Sequence, residues 1–181
     1  MRITGGTHGG FRYDPPYKTP ARPTTDIAKE GLFNILKNRF DIEELKVLDL
    51  FGGVGGITYE FASRGCNHIT LVEKDFGNIQ FIKSICDRLK FKVTICKTDV
   101  MKYIAHCQED FDMIFAGPPY AFIGLENLPD QILHKGMIRP DGWLILEHNP
   151  THNFDLHPHL LLKRNYGSTI FSIFTAHPPV K

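Results

Sequence analysis

No apolar run in the sequence reaches the roughly 20 residues that a bilayer-spanning helix requires, which excludes a helical membrane anchor in the chain as read. The opening Met1-Arg2-Ile3-Thr4-Gly5-Gly6 lacks the apolar stretch of a secretory signal, so a cytoplasmic protein is expected. The four cysteines, Cys66, Cys86, Cys96 and Cys107, have no CxxC spacing. They read as small buried hydrophobes in a reducing cytosol, not as a zinc site or a disulfide frame. His148, His152, His157 and His159 cluster without a zinc-binding spacing, and no metal is expected. Internal repeats and low-complexity segments are also absent.

What remains is an ordinary globular composition. The 181 residues suit one domain with a full core, at 42% hydrophobic and 23% charged. The net charge of +1 is unevenly spread. Residues 1–39 carry seven Lys/Arg against three Asp/Glu, and the remainder fourteen against seventeen. The amino-terminal arm is therefore the part expected to meet a polyanion. The alternative is a solvated segment with ordinary surface charge.

Short strands around Arg2-Ile3-Thr4 and Gly10-Phe11-Arg12-Tyr13 are compatible with a hairpin. Residues 14–23 hold four prolines and read as extended. Thr24 or Thr25 caps a helix whose apolar face runs through Ile27, Gly31, Leu32, Ile35 and Leu36. Strands are expected at residues 46–50, 68–73, 92–96, 112–116 and 143–147, and helices at 57–63, 75–89, 99–107 and 125–133. Pro140-Asp141-Gly142 reads as a turn. Residues 160–163 and 169–175 flank Asn165-Tyr166-Gly167, which has hairpin chemistry. Repeated strand–helix units closing in an antiparallel pair describe a mostly parallel, three-layer α/β sheet.

Phe51-Gly52-Gly53-Val54-Gly55-Gly56 joins the first of these strands to a helix. Glycines let the backbone turn and approach a ligand, and the helix start offers free N–H groups. Gly53-Val54-Gly55 supplies a central GxG, but Thr58 stands where a dinucleotide motif has its last glycine. Asp49 beside the loop repels phosphate and favours an amino or sulfonium group, which makes S-adenosylmethionine the better ligand. Glu73, at the end of the second strand, is placed to bind both ribose hydroxyls of an adenosine. Asp99, after the third strand, either reaches an adenine or caps the following helix. A purely structural glycine turn is the competing reading.

Ile114-Phe115-Ala116-Gly117-Pro118-Pro119-Tyr120 ends the fourth strand in a rigid, open turn. Carbonyl groups there can face a pocket, and Tyr120 can stack on a base. Methyl transfer to an amine would be an in-line displacement aided by positioning. No cysteine lies in the turn, which disfavours pyrimidine-carbon methylation through a cysteine adduct. The competing reading is a rigid turn with a core tyrosine.

Several segments occur in order: Arg2-Ile3-Thr4-Gly5-Gly6, Arg22-Pro23-Thr24, Leu32-Phe33-Asn34-Ile35-Leu36 and Asp49-Leu50-Phe51-Gly52-Gly53. Ser63-Arg64-Gly65, Val72-Glu73-Lys74, Pro118-Pro119-Tyr120, Gly142-Trp143-Leu144-Ile145-Leu146-Glu147-His148 and Tyr166-Gly167 follow. Together they resemble the bacterial RsmD family of 16S rRNA guanine-N2 methyltransferases, from residue 1 to about 175. The resemblance implies a class I S-adenosylmethionine-dependent methyltransferase fold: Rossmann-like, with a seven-stranded, mostly parallel sheet, helices on both faces and a carboxyl-terminal antiparallel hairpin. Residues 1–23 would be a basic extension, with 24–181 the methyltransferase domain. By motif, Asp49, Gly53 and Gly55 line the methionine side of the cofactor, Glu73 holds the ribose and Asp99 approaches the adenine. Thr24, Phe51, Lys74 and Val100 are the further cofactor-binding positions. Gly117, Pro118, Pro119 and Tyr120 form the catalytic turn, and Arg2, Arg12, Lys18 and Arg22 face RNA. The implied partner is 16S rRNA or the assembling small subunit, met by a monomer.

Two positions depart from the family pattern. Val54 stands for a serine in the glycine loop, and Gly117 for the aspartate of Asp-Pro-Pro-Tyr. Losing a hydrogen bond to a reacting amine costs roughly 1.5–3 kcal/mol, about tenfold to more than a hundredfold in rate. Two alternatives stay open on this account: a cofactor- and RNA-binding assembly factor without turnover, and an adenine-N6 methyltransferase sharing the Pro-Pro-Tyr turn.

Overall fold

The computed structural model describes residues 1–15 and 23–179. Lys18 and Arg22 lie outside the described residues. Helix α1, Asp26–Leu36, is capped by Thr25, whose hydroxyl accepts from Ala28 N. The sequence had left Thr24 and Thr25 as alternative caps. The buried stripe of α1 is Ala28, Leu32, Phe33 and Leu36, whereas Ile27 is 73% exposed. At the first turn the stripe begins one position later than the apolar pattern implies, because Ala28 and not Ile27 faces the sheet.

Strand β1, Lys46–Asp49, leads into α2, Gly56–Ser63. Then come β2, His68–Glu73, α3, Phe76–Leu89, β3, Val93–Lys97, and α4, Val100–His106. Strand β4, Phe111–Ala116, is followed by a 3-10 turn and α5, Leu128–His134. The chain ends in β5, Ile138–His148, β6, Leu160–Tyr166, and β7, Thr169–Thr175. The sheet order is β3-β2-β1-β4-β5-β7-β6. The first five strands are parallel, and β7 runs antiparallel between β5 and β6. This is the mostly parallel sheet closing in an antiparallel hairpin that the strand pattern describes, with the seven strands that the family resemblance implies.

Pro140-Asp141-Gly142 lies inside β5, where a free turn was expected. Pairing with β4 shifts register there: Phe111 faces Ile138, and Met113 faces Trp143. The extra residues form a bulge, which tolerates the missing proline N–H that a regular ladder would not.

Alternation along the strands separates two cores. Val47, Ile69, Met113, Phe115, Trp143 and Ile145 pack with α1 and α2. Leu48, Val72, Ile114, Ala116, Leu144 and Leu146 pack with α4 and α5 on the other face. A third cluster joins Ile3 and Tyr13 to Tyr59, Leu71 and α3. It seats the amino-terminal hairpin, in which Arg2 bridges Arg12 in antiparallel fashion. The hairpin is also tied by charge. Glu60, fully buried in α2, accepts from Thr4 N and Oγ1 at 2.8 Å each and pairs with Lys29 and Arg64.

Candidate active site

In a parallel sheet, ligands bind beyond the strand carboxyl ends where the strand order reverses. That point here lies between β1 and β4. The glycine loop leaves β1 on one side and the Gly-Pro-Pro-Tyr turn leaves β4 on the other. Two adjoining hollows occupy the gap and share Phe51, Gly53, Gly117 and Pro119. The first is bounded by Asp49, Thr24, Tyr13, Tyr120 and Glu147, the second by Glu73, Lys74, Asp99, Val100 and Phe122.

The sheet register fixes which side chains converge. Leu71, Asp49, Phe115 and Ile145 lie side by side across four strands. Residues alternate faces, so Glu73, Gly117 and Glu147 follow two positions later on the same face. The acids at the ends of β1, β2 and β5 therefore point toward one helix-covered side of the sheet.

Asp49 is buried and accepts from Thr58 Oγ1 at 2.8 Å. Burial pushes its carboxyl up to about 6, and the negative charge of Glu73 adds to this, while the Thr58 bond opposes it. Thr58 thus holds the acid that faces the cleft, a role not visible while it was read only as a missing glycine. Glu73 accepts from Gly53 N, Lys74 N and Asp75 N at 2.8 Å each, pinning the glycine loop to the end of β2. The loop needs left-handed backbone at Gly53 and Gly55, with φ of 53° and 87°. A Cβ on Gly55 would lie 2.4 Å from the Tyr59 ring. Gly55 sits behind the loop as the first residue before α2 and is not among the lining residues.

Asp99 caps α4 by accepting from Met101 N at 2.9 Å, with Lys74 Nζ 3.6 Å from its carboxylate. It also lines the second hollow, so capping does not remove it from the cleft. Phe122, which the sequence did not single out, packs edge-on against Phe51 at 5.2 Å and couples the two loops. Tyr120 stands at the rim, 54% exposed. The hydroxyl of Tyr13 is buried with no hydrogen-bond partner.

Thr24 donates to Glu147 Oε2 at 2.5 Å. A Cβ on Gly117 would lie 3.6 Å from that same oxygen and 2.9 Å from Phe115 Cε1. Glu147 is thus a site residue that the sequence showed only as a strand end. His148 points the opposite way, with Nε2 2.8 Å from Ser172 Oγ and the ring against Phe154. Burial holds its imidazole below the usual value. Arg2 and Arg12 lie on the amino-terminal hairpin and are not cleft-lining residues. Arg2 is paired with Asp26 at 2.6 Å and Glu30 at 3.2 Å, while Arg12 is exposed. Among the described residues no group of His, Cys, Asp and Glu could hold a metal ion.

The family model described as conserved hypothetical protein 95 matches residues 1–175. Bacillus subtilis YlbH is 34% identical over 154 residues, covering 82% of this chain and 83% of its own. Ribosomal RNA small subunit methyltransferase D of Escherichia coli is 28% identical over 145 residues, 80% of this chain and 69% of the other. Among solved structures, Thermus thermophilus hypothetical protein TTHA0928 superposes with a TM-score of 0.85 at 27% identity, over 97% of this chain and 99% of that one. The T. thermophilus 16S rRNA N2 G1207 methyltransferase RsmC, in complex with AdoMet and guanosine, gives 0.65 at 21% identity over 84% of this chain and 43% of its own. The fold is that of the class I methyltransferases, and the chain belongs to the RsmD family, described as conserved hypothetical protein 95.

Proposed function

We propose that this protein transfers a methyl group from S-adenosylmethionine to the exocyclic N2 amine of a guanine in 16S rRNA. The observation that carries the reading is the single cleft in which the glycine loop, three acidic strand ends and the Gly-Pro-Pro-Tyr turn meet. The family supports rRNA methylation, since relatives are named ribosomal RNA small subunit methyltransferases.

The residues present fit the cofactor. The glycine loop brings backbone close without Cβ atoms, Asp49 offers a carboxylate to a cationic group, and Tyr13 has an uncommitted buried hydroxyl beside it. Asp49, Thr24, Phe51 and Gly53 would hold the methionine half, and Glu73, Lys74, Asp99 and Val100 the adenosine half, with Gly55 shaping the loop. When bound, S-adenosylmethionine supplies an electrophilic methyl group on a sulfonium. The turn at Gly117, Pro118, Pro119 and Tyr120 holds the target base, with Tyr120 as its stacking surface. Arg12, with Lys18 and Arg22 of the amino-terminal extension, meets RNA phosphates, while Arg2 is held by Asp26 and Glu30 and serves the hairpin's attachment. The protein works as a monomer on rRNA or the assembling subunit, in the cytoplasm.

Labelled cofactor mixed with small-subunit rRNA or partly assembled subunits tests the reading. Absence of transfer at high enzyme concentration sinks it. Mass spectrometry of the methylated nucleoside separates guanine N2 from adenine N6. A second reading, binding without turnover as an assembly factor, is motivated by Gly117, which has no side chain to meet the amine. Wild-type turnover refutes that second reading.

A further inference from the structure

We infer that Tyr13 binds the cofactor, its buried hydroxyl donating a hydrogen bond to the α-carboxylate of the methionine half. The inference rests on S-adenosylmethionine as the cofactor and is independent of which base is methylated. It gives the amino-terminal hairpin a part in the cofactor site, beyond the RNA contact expected of Arg12.

Tyr13 is 3% exposed, and its hydroxyl is one of two buried side-chain polar atoms without a hydrogen-bond partner among the described residues. The ring stands edge-on to Tyr59 at 5.2 Å and belongs to the cluster of Ile3 and Leu71, so the hydroxyl is held in place. Buried polar groups are nearly always hydrogen-bonded, and an orphan beside a cleft marks a place for a ligand atom. The other orphan, on Tyr59, stands behind the glycine loop, 2.6 Å from where a Cβ on Gly55 would lie, and does not border the hollow. Tyr13 borders it together with Gly56 and Ile57. A Cβ on Gly56 would lie 3.5 Å from the Tyr13 hydroxyl, which places that hydroxyl over the first turn of α2.

The surroundings select an anion. Helix α2 begins at Gly56, after a glycine cap that offers no side chain. The first N–H groups of a helix have no intrahelical partner and carry the positive end of its dipole. Lys29 borders the same hollow, but its ammonium is committed to Asp26, Glu60 and the Arg2 carbonyl. Thr24 donates to Glu147, and Tyr120 stands at the rim. Tyr13 is therefore the buried side-chain donor still open to a ligand. Burial raises its hydroxyl above the ordinary value, and the charges of Glu60 and Asp26 add to this, so the group keeps its proton and remains a donor. Asp49 borders the hollow as the acid that receives a cation. A zwitterionic tail is thereby divided, its ammonium toward Asp49 and its carboxylate toward Tyr13 and the start of α2. Met1 Cε lies 3.9 Å from the same point beside Gly56, and this flexible side chain can yield as the carboxylate enters.

The test uses wild type and Tyr13→Phe, which removes the hydroxyl and keeps the ring. Calorimetry measures the affinity of each for S-adenosylhomocysteine and for decarboxylated S-adenosylhomocysteine, which keeps the ammonium and lacks only the carboxylate. Melting curves without ligand accompany both proteins. The wild type should prefer S-adenosylhomocysteine. Tyr13→Phe should weaken that ligand about tenfold to a hundredfold, while the decarboxylated one changes by less than about threefold. Without ligand the variant should melt no lower than the wild type, because the hydroxyl bonds nothing in the free protein; a lower melting temperature would mark the hydroxyl as structural and count against the inference. Unchanged S-adenosylhomocysteine affinity in Tyr13→Phe, or equal weakening of the two ligands, overturns the role of Tyr13 and leaves the cofactor reading standing. Equal affinity of the wild type for the two ligands overturns it without any variant. A wild type that binds neither ligand defeats the cofactor reading itself, and the inference with it.

Discussion

At the scale of single residues, the cleft is governed by what its carboxylates already bind. Asp49 has its folded-state value raised from the ordinary 3.8 to about 6 by burial. A raised acid favours the protonated folded state, so its contribution to stability is complete below about 4 and is lost as pH rises through about 6. Asp49→Asn should therefore flatten the pH dependence of urea unfolding between those limits. A cationic ligand works in the other direction and favours the ionised acid. Cofactor affinity should rise with pH by up to about tenfold per unit below pH 6 and level off above it. Calorimetry from pH 5 to 8 would show this, and a flat profile would remove Asp49 from the charge of the cofactor. Gly117→Asp, a reversion to the family pattern, should cost about 1–3 kcal/mol of stability through overpacking against Phe115. It should also fail to raise turnover, because it places a second negative charge beside Glu147. A thermal melt and a rate measurement on one preparation decide both points.

Among the elements, the amino-terminal hairpin and α2 form one mechanical unit around Glu60. Its partners come from the hairpin, α1 and α2 itself. Glu60→Ala leaves Lys29 buried with Asp26 and the Arg2 carbonyl as its remaining partners among the described residues, and removal of one member of such a group costs about 3–5 kcal/mol. Urea unfolding should show that loss, and Lys29→Met combined with Glu60→Ala should recover part of it. Much at this scale was legible in the sequence. The span of β2, the helices after β1, β2 and β3, and the terminal antiparallel pair all follow from periodicity and capping residues. What was hidden depends on contacts between distant segments. Pro140-Asp141-Gly142 carries turn chemistry, yet pairing on both flanks absorbs it as a bulge in β5. Thr58 departs from a glycine motif, and its bond to Asp49 exists only once α2 folds back on β1. Glu147 lies within an apolar strand run, and only the alignment of β5 with β4 brings it to the turn.

For the whole molecule, charge and sheet architecture divide the labour. Within the basic amino-terminal region, the hairpin that carries Arg2 and Arg12 is seated on the α2–α3 side, next to the cleft through Met1 and Tyr13. Its two described arginines should behave differently. Arg12→Ala should weaken RNA binding and lower the slope of log affinity against log salt by about 0.7–0.9, the signature of one lost phosphate contact. Arg2→Ala should chiefly lower stability, because Asp26 and Glu30 already hold that guanidinium. Filter binding across a salt series, paired with melting curves, separates the two. The central position of β5 has a larger consequence. It is clamped between β4 and β7, with Glu147 opposite Phe171 on the antiparallel side. The bulge before Trp143 acts as slack in the chain, a place where a residue can be gained or lost while both ladders hold the remaining strand in phase. A deletion after Trp143 has no such slack. A one-residue slip would turn Glu147 away and present a neighbour from the other face. The bulge is thus where the length of this strand can drift in evolution, and the segment beyond it is where it cannot.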